Sequence, residues 1–128
     1  MLYGRKPRKY QALYSRTLYC LGTHLHRAEY WEKAERSLRE ASRLCRQSYD
    51  ADASEHNCKL LASVLHEYAA TLGKLGRDED ARRTTLEVLG LCRKLFESRY
   101  DPNAEPPAFV RGFGDFLFLG EGLAFNLN

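Results

Sequence analysis

Apolar residues in this chain recur three and four positions apart over two long stretches, with no strand-like alternation. The first runs between residues 8 and 47, through Leu18, Leu21, Leu25, Ala34, Leu38, Ala41, Leu44 and Cys45. The second runs from 57 to 96, through Leu61, Leu65, Tyr68, Leu72, Ala81, Val88, Leu91 and Leu95. This spacing puts an apolar stripe on one face of each of several helices. Gly76-Arg77-Asp78 supplies a terminator followed by a cap, with Glu79 and Asp80 in the next first turn. The stretch from Ser48 to Ser54 is polar and small, and reads as a break with caps for the helix after it. Asp101-Pro102-Asn103 and Pro106-Pro107 form a linker, and a helix can begin near Pro106. The pattern predicts five helices, near 8–28, 30–47, 54–75, 78–99 and 106–119, and an all-α fold.

The sequence also matches itself at an offset of 47 residues. Leu18, Leu25, Glu32, Ala34, Arg36 and Glu40 fall on Leu65, Leu72, Glu79, Ala81, Arg83 and Glu87. Leu44, Cys45 and Arg46 fall on Leu91, Cys92 and Arg93. Chance would give roughly two such identities over this span. A fixed period in this range marks stacked helical hairpins. In each hairpin a small residue sits beside large ones, Gly22 between Leu21 and Leu25, and Ala69 between Tyr68 and Leu72. Small residues there, and at Ala34 and Ala81 on the second helices, let paired helices approach closely.

These residues resemble the tetratricopeptide repeat family. The resemblance is carried by Leu18, Leu21, Gly22, Leu25, Ala34, Leu38 and Ala41, then by Leu65, Tyr68, Ala69, Leu72, Gly76 and Ala81. The stretch Leu75 to Ala81 looks typical of that family's inter-helix turn. Val110, Phe113, Gly114 and Leu117 repeat the internal spacing and mark a third start. The offset exceeds the family's usual period of about 34, as in kinesin-light-chain-like variants with longer helices. Thr85 stands where the first repeat has Leu38, and Glu29 where the second has Gly76.

The resemblance implies a helical-hairpin solenoid over residues 14–119, with repeats near 15–47 and 62–99 and a partial one at 106–119. A basic leader (1–13) would precede it and a tail (120–128) follow. It implies a non-catalytic module that binds a peptide or protein on a concave face lined by the first helix of each hairpin. The residues expected there are Arg16, Tyr19, Thr23 and His26, then Ser63, His66, Ala70 and Lys74, then Arg111 and Asp115. A Lys/Asn/Arg clamp for a C-terminal carboxylate is not visible in the sequence.

Charge changes the picture only at the start. The net charge is +3, yet the first sixteen residues hold Arg5, Lys6, Arg8, Lys9 and Arg16 and no acid. The rest is slightly acidic, which disfavours nucleic-acid binding by the body of the domain. Arg5-Lys6-Pro7-Arg8-Lys9 resembles a nuclear-localisation or nucleic-acid patch, which is the alternative reading of function. No run of 18 apolar residues is present, so no membrane association is expected. With no apolar run behind the basic stretch, the cysteines Cys20, Cys45, Cys58 and Cys92 read as reduced thiols, and a cytoplasmic or nuclear location is expected.

Candidate chemistry is sparse. Cys20 and His24 lie four apart on one helix but lack a second pair at ligand spacing, so neither metal nor cofactor is expected. The sequence has no glycine-rich phosphate loop, no His-Glu-x-x-His and no nucleophile elbow, and no enzymatic activity is expected. Tyr30 and Trp31 sit in the first inter-helix turn, where a hydrophobic staple is the favoured reading over an exposed anchor. Five of the six phenylalanines lie in the last twenty residues. Such a greasy end predicts an interface, and self-association through Phe113, Phe116 and Leu117 is expected.

Overall fold

A computed structural model describes residues 7–98. Among these residues the chain is all-helical: α1 (Pro7–Arg27), α2 (Trp31–Ala51), α3 (Glu55–Lys74) and α4 (Asp78–Ser98). The helix expected at 106–119 lies outside the described residues.

Both hairpin turns use the same chain reversal. Tyr30 N donates to Leu25 O at 2.9 Å, and Arg77 N donates to Leu72 O at 2.9 Å. Each bond spans five residues and closes over one residue with positive φ, Glu29 (φ 68) or Gly76 (φ 77). This is the Schellman arrangement that satisfies a helix's last carbonyls. Between the hairpins, Ser54 caps α3 by accepting from Asn57 N at 3.2 Å. The Asn57 side chain meanwhile donates to Ser48 O (3.3 Å) and Asp52 O (2.8 Å), tying the end of α2 to the start of α3.

Short connections make successive helices antiparallel neighbours, and each packs chiefly on the helices before and after it. α1 also meets α3 along a narrow seam. α3 is therefore covered on several sides, and its Leu61, Ala62, Val64, Leu65, Ala69 and Leu72 are all buried. Around it lie Ala41 and Cys45 from α2, and Val88, Leu91, Cys92 and Leu95 from α4. Gly22 lets α1 approach Leu38 of α2 closely, as its small side chain predicts.

Two expectations are corrected. The Ser48–Ser54 stretch does not end α2, which continues to Ala51. Tyr49 packs against the core cluster, so helix continuation is rewarded by burial despite the polar composition. Leu21 is not core: it is 47% exposed. Gly22 takes the close approach to α2, and Leu21, one position back and about 100° round the helix, is turned away from it.

Candidate partner-binding face

Helical spacing puts Arg16, Tyr19, Thr23 and His26 on one side of α1, and Ser63, His66, Ala70 and Lys74 on one side of α3. The α1–α3 seam brings part of these two sets together. His26 Nδ1 and Thr71 Oγ1 are 2.9 Å apart. The Thr71 hydroxyl gives its one proton to Glu67 O at 2.9 Å, so His26 Nδ1 is the donor in this pair. Burial raises the Tyr19 phenol above its ordinary value, the Glu67 carboxylate adds to this, and the nearby Ser63 hydroxyl opposes it. Burial lowers His66 below the usual imidazole value against the pull of Glu67, which keeps its ring neutral at physiological pH.

The expected face is thus partly consumed by helix packing. Tyr19, Thr23 and His26 are half-buried, as are Ser63, His66 and Ala70, while Arg16 is exposed. Thr23 Oγ1 is buried and has no hydrogen-bond partner among the described residues. Lys74 departs from the row, because its ammonium lies 5.8 Å from the Trp31 ring centroid. Arg111, Asp115 and the self-association residues Phe113, Phe116 and Leu117 lie outside the described residues.

The aromatic pair in the first turn is arranged differently from a staple. Tyr30 is itself the N-cap of α2, and the residue before it is Glu29, so no apolar side chain stands at the staple's first position. Tyr30 is 59% exposed with the Lys33 ammonium 5.6 Å from its ring centroid. Together with Trp31 and Leu75 it borders a depression of 350 Å³ at the turn end of the hairpins.

A polar cluster unforeseen in the sequence lies between α2 and α3. Glu35 is 6% exposed and accepts from Tyr68 Oη at 3.2 Å, with Arg39 Nε at 3.6 Å and Arg77 Nη1 at 3.5 Å. Burial first, and then the Glu35 charge, raises the Tyr68 phenol. A buried carboxylate that accepts one hydrogen bond and pairs with two guanidinium groups is a structural clasp between the two hairpins. Its only sequence signal is an acid on the apolar side of α2.

Among the described residues no group of three or more His, Cys, Asp or Glu side chains is placed to hold a metal ion, and no helix is long and apolar enough to cross a membrane. Comparison with family models, curated proteins and solved structures gives no match.

Proposed function

We propose that this chain is a non-catalytic protein–protein interaction module of tetratricopeptide type, with its hairpins continuing as a solenoid into a fifth helix at 106–119. The partner is a peptide or protein segment lying across α1 and α3 on the side of Arg16, Tyr19, Ser63 and Ala70. The observation that carries this reading is the lateral pairing of α1 with α3, with His26 bonded to Thr71 across the seam. His26 belongs to the row on α1 that the resemblance assigns to a partner-binding face, and its bond to Thr71 ties that row to α3. A rigid two-helix platform binds at low entropic cost, because its side chains are already ordered.

The test is affinity capture from native lysate with the full chain and with Arg16→Glu plus Ala70→Arg. Arg16 is exposed and Ala70 only half-buried, so the fold should survive. Loss of a specific protein from the double variant supports the reading. Equal capture by both removes the face from consideration. The basic, acid-free first sixteen residues favour one further outcome. Nucleic acid that salt strips away, and that is not captured once residues 1–9 are removed, would make the leader the functional element.

A further inference from the structure

The two hairpin turns close in the same way, yet their side chains differ in kind. We propose that the first turn is a recognition site for an arginine side chain of a basic peptide, its guanidinium taken up by the rings of Tyr30 and Trp31 and the carboxylates of Glu29 and Glu32. The site lies apart from the α1–α3 face and does not depend on it.

The 47-residue offset maps Glu29, Tyr30, Glu32 and Lys33 onto Gly76, Arg77, Glu79 and Asp80. In the second turn the Arg77 guanidinium lies 2.8 Å from Asp80 and 3.5 Å from Glu35, so its charge is met within the molecule. In the first turn an aromatic ring stands in the place of that arginine. Glu29 and Glu32 are both exposed, and neither side chain has an ion pair or hydrogen bond among the described residues. These two carboxylates line a depression of 350 Å³ together with Tyr30, Trp31, Lys33 and Leu75. The second turn keeps the glycine that a left-handed position favours, whereas the first holds Glu29 there at φ 68. Nothing in the turn's own backbone hydrogen bonding calls for that acid, or for a tyrosine left 59% exposed.

Both rings already draw cations. The Lys33 ammonium lies 5.6 Å from the Tyr30 ring centroid and the Lys74 ammonium 5.8 Å from that of Trp31. Both lysines are exposed, and neither pairs with an acid among the described residues, so an incoming cation can displace them. A guanidinium holds the advantage over an ammonium here. It lies flat on an aromatic face while its fork of N–H groups bonds a carboxylate, whereas an ammonium is a compact, strongly hydrated point charge. The turn is also remote from the chain beyond α4. α1 and α3 end, and α2 and α4 begin, at the turn end, so Ser98 lies at the opposite end of the helices. A helix at 106–119 stacked on α4 would be separated from the first turn by the second hairpin.

Trp31 is the chain's only tryptophan, so its fluorescence reports on this site. The test titrates the full chain with end-capped glycine–serine peptides that carry a single arginine, lysine or glutamine. The arginine peptide should shift Trp31 emission saturably at roughly millimolar concentration, as befits a few exposed contacts. The lysine peptide should bind more weakly and the glutamine peptide not at all. Glu29→Gly removes one carboxylate and suits the left-handed backbone, so the fold is kept while arginine binding weakens by roughly two- to fivefold. Tyr30→Leu keeps an apolar side chain without a π face and should weaken binding by about two- to fivefold. Lys33→Gln takes away the competing cation and should tighten it by about the same factor, a gain that no loss of folding can produce. A wild type without a saturable response to the arginine peptide overturns the proposal. An equal response to lysine or glutamine also overturns it, because the site then does not recognise a guanidinium. Arginine binding that any of the three variants leaves unchanged overturns it too, since the peptide then lies elsewhere.

Discussion

A Cβ atom on Gly22 would lie 2.5 Å from Cγ and 2.7 Å from Cδ2 of Leu38. Leu38 is fully buried in α2 and has no room to retreat, so this contact fixes how near α1 can lie. Gly22→Ala should therefore destabilise the domain by about 1–3 kcal/mol, the usual cost of overpacking a filled core. Glycines without such a neighbour give the opposite sign. Nothing lies within 4 Å of a Cβ on Gly73 or Gly90, and alanine there should stabilise by about 0.5–1 kcal/mol through helix propensity. Urea denaturation of the three variants reads the signs directly. A stabilised Gly22→Ala protein would mean that α1 is not seated on Leu38.

What the sequence revealed and what it hid follow from the range of the forces involved. The four described helices and most of their core were legible because a three-and-four periodicity is a local signal, repeated at an offset that ties Leu18 to Leu65 and Leu44 to Leu91. Leu21 was misread because apolarity does not reveal which neighbour covers a side chain, and among the described residues no helix stands before α1 as α2 stands before α3. The end of α2 was misread for a related reason, since Tyr49 reaches the core only through the packing of other helices. Helical spacing alone puts Tyr19 and His26 on one side of α1. That both side chains are drawn into a seam with Ser63 and Thr71 depends on the distance between α1 and α3, which no local pattern encodes.

Glu29 occupies the left-handed position that Gly76 occupies in the second hairpin, with the same five-residue hydrogen bond closing over it. A side chain with a Cβ is strained there by about 1–2 kcal/mol, while glycine is not. Glu29 is exposed, and its side chain forms no hydrogen bond or ion pair among the described residues that the change would remove. Glu29→Gly should raise stability by about 1 kcal/mol once the greater freedom of glycine in the unfolded chain is deducted. Thermal melts of the two proteins decide the matter, and a lowered midpoint would refute a strained turn.

Three of the four cysteines should be chemically silent in the native protein. Cys45, Cys58 and Cys92 are buried in one core cluster, and Cys20 alone is exposed. Burial raises the thiols of Cys45 and Cys58, and it pushes Cys92 up to about 12, with Cys58 adding to the effect. A thiolate is the reactive form, so burial suppresses both access and ionisation. Near neutral pH a disulfide dye should modify one thiol per chain rapidly, and Cys20→Ser should abolish that phase. The other three should react only as fast as the domain opens, and all should react at once in guanidinium. Rapid modification of two or more thiols in the native protein would contradict this packing.

His66 should make the domain acid-sensitive. Burial depresses its folded value below that of the unfolded chain, so the unfolded state binds the proton more readily. Its contribution to stability is complete above the ordinary imidazole value of about 6.5. It is lost as pH falls from there through the depressed folded value, below which the loss stays constant. Glu67 works against the shift, since its carboxylate favours an imidazolium beside it, and burial prevails. Urea midpoints taken between neutral and mildly acidic pH should therefore fall for the wild type. His66→Gln keeps a polar side chain but has nothing to titrate, so its curve should be flatter over the same window even if its midpoint at neutral pH is lower. Parallel curves for the two proteins would assign the acid sensitivity to other groups, because a residue that acted only through packing would shift the curve without changing its slope.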